Sequence, residues 1–216
     1  MTTHSAVNLK NVNGLRAQRP ADSHGKVHRI FLASLTLWAV GVVILASVGI
    51  LERLPTRLVP LPIVTGISTL LLFYSRSAAF RHYIHALDLR NLTLFHLWRI
   101  PAALAFFFYG SQGELPLWFV RNAGWGDLVA GVLAPVAVFA FARSERFRFS
   151  GFVAFHIFSI LDFVGAVGTG SVFSLLNDPL MVTLKEMPMA LIPFFGVPVT
   201  GALSLMTLHR LFTRRA

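Results

Sequence analysis

The stretch "GFVAFHIFSILDFVGAVGTGSVF" (residues 151–173) runs through 23 positions with one formal charge, Asp162. Wound as a helix at about 1.5 Å per residue it covers roughly 35 Å, enough to cross a hydrocarbon core of about 30 Å. A carboxylate at the centre of such a helix costs at least roughly 2.5–3.5 kcal/mol unless it is paired or faces water. The stretch therefore predicts a membrane span and a partner for its charge.

Working outward, five more windows have the length and apolarity of a span: 30–51, 58–75, 92–110, about 118–142, and 189–211. The composition agrees, with 55% hydrophobic and 13% charged residues and a mean hydropathy of +0.67, outside the usual soluble range. The predicted fold class is all-α, a polytopic transmembrane bundle of six spans. Six spans in 216 residues leave almost nothing for a water-soluble domain, so any chemistry sits in the bundle or on short loops. The expected division is a flexible basic tail over 1–29, a transmembrane domain over 30–212 and a basic C-terminal tail over 213–216.

Lys and Arg concentrate on one side of this arrangement. The tail holds Lys10, Arg16, Arg19, Lys26 and Arg29, and alternate connections hold Arg76, Arg81 and Arg90, then Arg143, Arg146 and Arg148, then Arg210, Arg214 and Arg215. The opposite side has only Arg53, Arg57, Arg121 and Lys185. Positive short loops stay cytoplasmic, so both termini are predicted inside. The formal charge of +10 is then explained by topology and by attraction to anionic lipid headgroups, and no nucleic-acid partner is needed to account for it. Self-association into a homo-oligomer is left open. The connection over 76–91 predicts an interfacial amphipathic helix, with Phe80, Tyr83, Ile84 and Leu87 on one face and Arg81, His82, His85 and Asp88 on the other.

Within the spans the ionisable residues are His96, Arg99, Asp127, His156, Asp162 and His209. Arg99 and Asp162 fall near the midplanes of their spans and are the expected ion pair, serving either helix register or a proton or substrate path. Asp127, in "RNAGWGDLVAG" (Arg121 to Gly131), has two readings. A helix starting after Gly124 and Gly126 makes it an N-cap close to the outer surface, and this, or a partly buried outward-facing carboxylate, is the favoured reading. A helix starting near Leu117 instead draws it inward to share Arg99 with Asp162, where two carboxylates around one guanidinium would leave a proton to titrate. In both cases a polar pocket opens outward.

His96, His156 and His209 lie in the cytoplasmic halves of their spans and suggest an alternative, a haem- or transition-metal-binding redox protein. The cofactor is otherwise unknown. With no cysteine, disulfides, iron–sulfur clusters and thiolate metal ligands are excluded. No Gly-x-Ser-x-Gly elbow, phosphate loop or His-Glu-x-x-His motif is present, and "GAVGTG" (Gly165 to Gly170) sits inside a span, where it reads as a close helix contact. "FHLWR" from Phe95 and "FHIFS" from Phe155 form a weak internal echo, each with a glycine fourteen residues after its His (Gly110, Gly170). Ser34, Ser68, Ser159 and Thr200 read as hydroxyls bonded back to their helices.

The runs "WRIPAALAFFFYGSQGELPLWFVRNAGWGDLVAGVLAP", "LDFVGAVGTG" and "IPFFGVPVTGALSLMTLHRL" resemble a group of small bacterial multi-span membrane proteins of unassigned function. The shared pattern is an Arg early in one span, Gly-x-Leu-Pro, a Gly-Trp-Gly-Asp turn, an Asp in the next span and a His late in the last. It covers roughly residues 95–212 and carries over to Arg99, Asp127, Asp162 and His209. The resemblance implies a bacterial cytoplasmic membrane location and no activity. That pattern has an Asn where this chain has His156, which counts against the haem and three-histidine reading. The leading expectation is a non-enzymatic transporter or sensor taking up a proton at Arg99 and Asp162. A structural membrane subunit is the third alternative.

Overall fold

The computed structural model describes the backbone over 6–141 and 145–213, and side chains over 25–140 and 149–213. Of the expected tails, residues 1–5 and 214–216 lie outside the described residues, whereas 6–29, expected to be flexible, carry the helix α1 back to Ala6; the side chains of Arg143, Arg146 and Arg148 are not among those described. Among the described residues every regular element is helical: α1 (Ala6–Ser47), α2 (Pro60–Arg76), α3 (Ala78–Ala86), α4 (Leu89–Leu94), α5 (Arg99–Ser111), α6 (Leu117–Phe119), α7 (Trp125–Phe141), α8 (Glu145–Leu175) and α9 (Val197–Thr213).

Consecutive pieces join into six stretches long and apolar enough to cross a membrane: Gly25–Ser47, Thr56–Arg76, Leu89–Ser111, Leu117–Ala140, Phe149–Leu175 and Ile192–Thr213. They overlay the six predicted windows. The fourth and sixth contain wide π turns, Val120–Gly124 and Ile192–Gly196, and the third contains a tight 3₁₀ turn, Phe95–Trp98. Leu37, Phe139 and Leu161 are more than 60% exposed, which suits residues that face lipid.

The ends of the short elements obey local chemistry. Pro60 begins α2, where its missing N–H costs nothing. Ser77 is extended, and its hydroxyl accepts from the Phe80 amide to start α3. Asp88 accepts from the Arg90 amide to start α4. The helix expected over 76–91 is thus interrupted at Ser77 and again at Leu87. Tyr83 and Ile84 are buried and His82 is exposed, as the amphipathic pattern anticipates. His85 differs: it is half-buried and bonded to Tyr74.

Burial is uneven across the bundle. In α9 and its π turn, 78% of the most apolar window is buried, against 11% in the span of α1. Val199, Ala202 and Met206 pack with Tyr74, Tyr83 and Ile84 in one core cluster. A second cluster joins Phe106, Phe119 and Phe163 with Met181 and Met189. The α9 helix is the axis of the bundle, and α1 lies on its flank.

Candidate functional site

Arg99 opens α5 and is completely buried. Its Nε donates to Asp127 Oδ1 at 2.6 Å, and Nη2 lies 2.6 Å from the same oxygen. Nη2 also pairs with Asp162 Oδ2, and Nη1 donates to Ser159 Oγ at 3.0 Å. The guanidinium carbon sits 4.1 Å from the centre of the Phe163 ring. Among the described residues these are the two ion pairs, and both belong to one arginine.

The cap reading of Asp127 is corrected. The helix does not begin at Gly124 or Gly126: it starts at Leu117, passes through the π turn and continues into α7. The extra residue in a π turn rotates the helix beyond it, and Asp127 enters the bundle 3% exposed. The two glycines make room for neighbours. A Cβ at Gly124 would come within 2.7 Å of Phe107, and one at Gly126 would overlap the Asp162 carboxylate. Gly126 is therefore what lets both carboxylates reach one guanidinium.

Arg99 terminates a ladder. Thr93, His96 and Arg99 face His156, Ser159 and Asp162 at a constant separation of 63 residues. Thr93 Oγ1 lies 3.5 Å from His156 Nε2, and Ser159 Oγ lies 3.2 Å from His96 Nδ1. The intervening 3₁₀ turn explains the alignment, because at three residues per turn the side chains at i and i+3 eclipse. His96 Nε2 lies 3.2 Å from Ser204 Oγ on α9. With His96 protonated at Nε2, an unbroken line runs from Arg99 to the Ser159 hydroxyl, from that hydroxyl to His96, and from His96 to Ser204. Thr200 bonds back to Gly196 O, as such hydroxyls do, and also accepts from Trp98. Ser159 instead accepts from Arg99. Its signal in the sequence was its place midway between His156 and Asp162.

His209 belongs to another cluster. Its Nδ1 lies 2.8 Å from the Tyr74 hydroxyl, whose other partner is His85 Nε2 at 2.7 Å. The expected trio of His96, His156 and His209 is therefore not assembled. The rings of His96 and His156 pack edge to face, 5.6 Å between centres, and both ring nitrogens of His96 are engaged, Nδ1 with Ser159 and Nε2 with Ser204. Among the described residues no group of three His, Cys, Asp or Glu is placed to hold a metal.

On its other side Asp127 lines a cavity of about 40 Å³, together with Phe163, Ser171, Ser174, Met181 and Leu184. A water needs roughly 10–15 Å³ by this measure, so there is room for a short string. Ser174 Oγ is buried with no hydrogen-bond partner among the described residues. The cavity leads from Asp127 towards the 3₁₀ segment Pro179–Lys185, which joins the last two spans.

A family model described as Domain of unknown function (DUF8737) matches residues 56–212. No curated protein and no solved structure matches the chain.

Proposed function

We propose that this chain, which belongs to the family described as Domain of unknown function (DUF8737), is a small multi-pass carrier whose transport is coupled to protons taken up at Arg99, Asp127 and Asp162. The reading includes a bacterial cytoplasmic membrane and termini on the cytoplasmic side, supported by the resemblance and by the asymmetry of Lys and Arg.

One observation carries the proposal: a single guanidinium, fully buried, between two carboxylates. With all three groups ionised the cluster holds one negative charge in excess, and an uncompensated charge away from water is costly. A proton on either carboxylate removes that excess. It leaves Arg99 paired on one side and hydrogen-bonded on the other, so the cluster has two states of similar geometry and different charge. The cavity gives Asp127 an approach from one side. Ser159, His96 and Ser204 continue hydrogen bonding in the other direction, where His209, Tyr74 and His85 lie nearer the opposite mouth.

The test is infrared difference spectroscopy of the reconstituted protein across a pH titration, followed by proton flux in dye-loaded liposomes. A protonated-carboxyl band that vanishes in both Asp127→Asn and Asp162→Asn is expected, with at least tenfold lower flux in each. A folded wild-type protein with no such band, and flux equal to that of empty liposomes, would overturn the reading.

A further inference from the structure

A second feature lies well away from the Arg99 cluster. Between α1 and the pair α2 and α3 runs a groove of about 950 Å³, open along its side, extending from Val27 and Phe80 at one end to Leu45 and Leu54 at the other. From Val27 to Leu45 the rise of a helix is about 27 Å, nearly the depth of a hydrocarbon core. The lining is almost wholly apolar, including Phe31, Trp38 and Phe73. Its volume is at the top of the range for pockets that hold small molecules, and its long, narrow course suits flexible chains.

What would cover it is indicated by charge. The end at Val27 is the end at which α1 enters its span and α2 leaves its own, so Lys26, Arg29 and Arg76, all exposed, stand at the level of that end. Arg81 stands beside them, its Nη1 donating to the carbonyls of Tyr74 and Ser75 at 3.4 and 3.1 Å. Among the described residues none of these four cations forms an ion pair. Asp88, in the same connection, is engaged in capping α4. The other end carries Arg53, Arg57 and Lys185 against Glu52 and Glu186, so its charges nearly cancel. A groove that is apolar along its length and cationic at one mouth matches an anionic head with hydrocarbon tails.

We propose that this groove is a binding site for an anionic glycerophospholipid, with its phosphate at Lys26, Arg29, Arg76 and Arg81 and its acyl chains lying along Phe31, Trp38 and Phe73. The lipid completes the packing of α1 onto the bundle.

The test uses the full chain in phosphatidylcholine vesicles doped with spin-labelled phosphatidylglycerol or spin-labelled phosphatidylcholine, reading the motionally restricted fraction by electron paramagnetic resonance. Restriction of the anionic probe at least fivefold over the zwitterionic one is expected in the wild type. The substitutions Lys26→Gln, Arg29→Gln and Arg76→Gln together should abolish that preference. Gly41→Phe should reduce restriction of both probes. Gly41 lines the groove with nothing within 4 Å of where a Cβ would stand, and a helical side chain leans towards the N-terminal turn, here the half nearer the cations. Equal restriction of the two probes by the wild type would overturn the proposal without any variant being made. Cross-linking that shows a second copy sealing the groove would also overturn it.

Discussion

At the level of single residues, the Arg99 cluster separates roles that stability alone cannot. Removing one partner of a buried ion pair costs about 3–5 kcal/mol whatever its function, so Asp162→Ala should unfold in detergent at a markedly lower temperature. Gly126→Ala should behave like it, because a methyl group there overlaps the Asp162 carboxylate and forces it off Arg99. Thermal melts of the two variants will check this: Gly126→Ala as stable as the wild type would mean the carboxylate can sit elsewhere. Ser159→Ala is the sharper probe. It removes one hydrogen bond to a charged group, worth about 1.5–3 kcal/mol, while breaking the line between Arg99 and His96. Proton flux should fall at least tenfold in a protein that still folds, and unchanged flux would take Ser159 out of the path. That Arg99 and Asp162 belong together was legible from their equal depth in their spans. The part of Asp127 was not, because a glycine before an aspartate reads equally as a helix start or as room for a neighbour.

At the level of elements, hydropathy located the six spans because crossing a membrane needs only length and apolarity, both visible in a window of sequence. The 3₁₀ and π turns escaped it. They alter the rotation of a helix without altering its composition, and rotation decides whether a serine faces its own backbone or an arginine. The same limit hid the pairing of His85 and His209 through Tyr74. A further link between elements is Lys185, whose Nζ donates at 2.9 Å to the carbonyls of Glu52 and Leu54 and so ties the connection before α9 to the one after α1. Burial pushes its ammonium below the usual lysine range, with Glu52 and Glu186 opposing. A lowered native value means that the unfolded chain holds the proton more tightly. Stability from this group is thus fullest above the ordinary value of about 10.4 and is lost as pH falls through the lowered one. Lys185→Met should lower stability by about 1.5–3 kcal/mol near neutrality. The wild-type melting temperature should rise relative to it between neutrality and about pH 10.4; parallel curves would show that burial does not perturb the lysine.

At the level of the whole molecule, the proposed orientation is open to direct measurement, because a chain without cysteine carries no background thiol. Gln112 and His82 are exposed at opposite ends of the bundle, Gln112 in the connection after α5 and His82 on α3. In intact cells Gln112→Cys should react with an impermeant maleimide, and His82→Cys only after permeabilisation; the reverse result would invert the topology. The burial of α9 bears on how the molecule is made. The helix around which the others pack follows the other five described spans in the chain, so those five enter the bilayer before their common support exists. Until then Arg99, Asp127 and Asp162 have one another and the lipid, and no completed bundle. Assembly of the native bundle is therefore a late event, and a ribosome stalled before α9 should leave inserted helices that quality-control proteases can recognise.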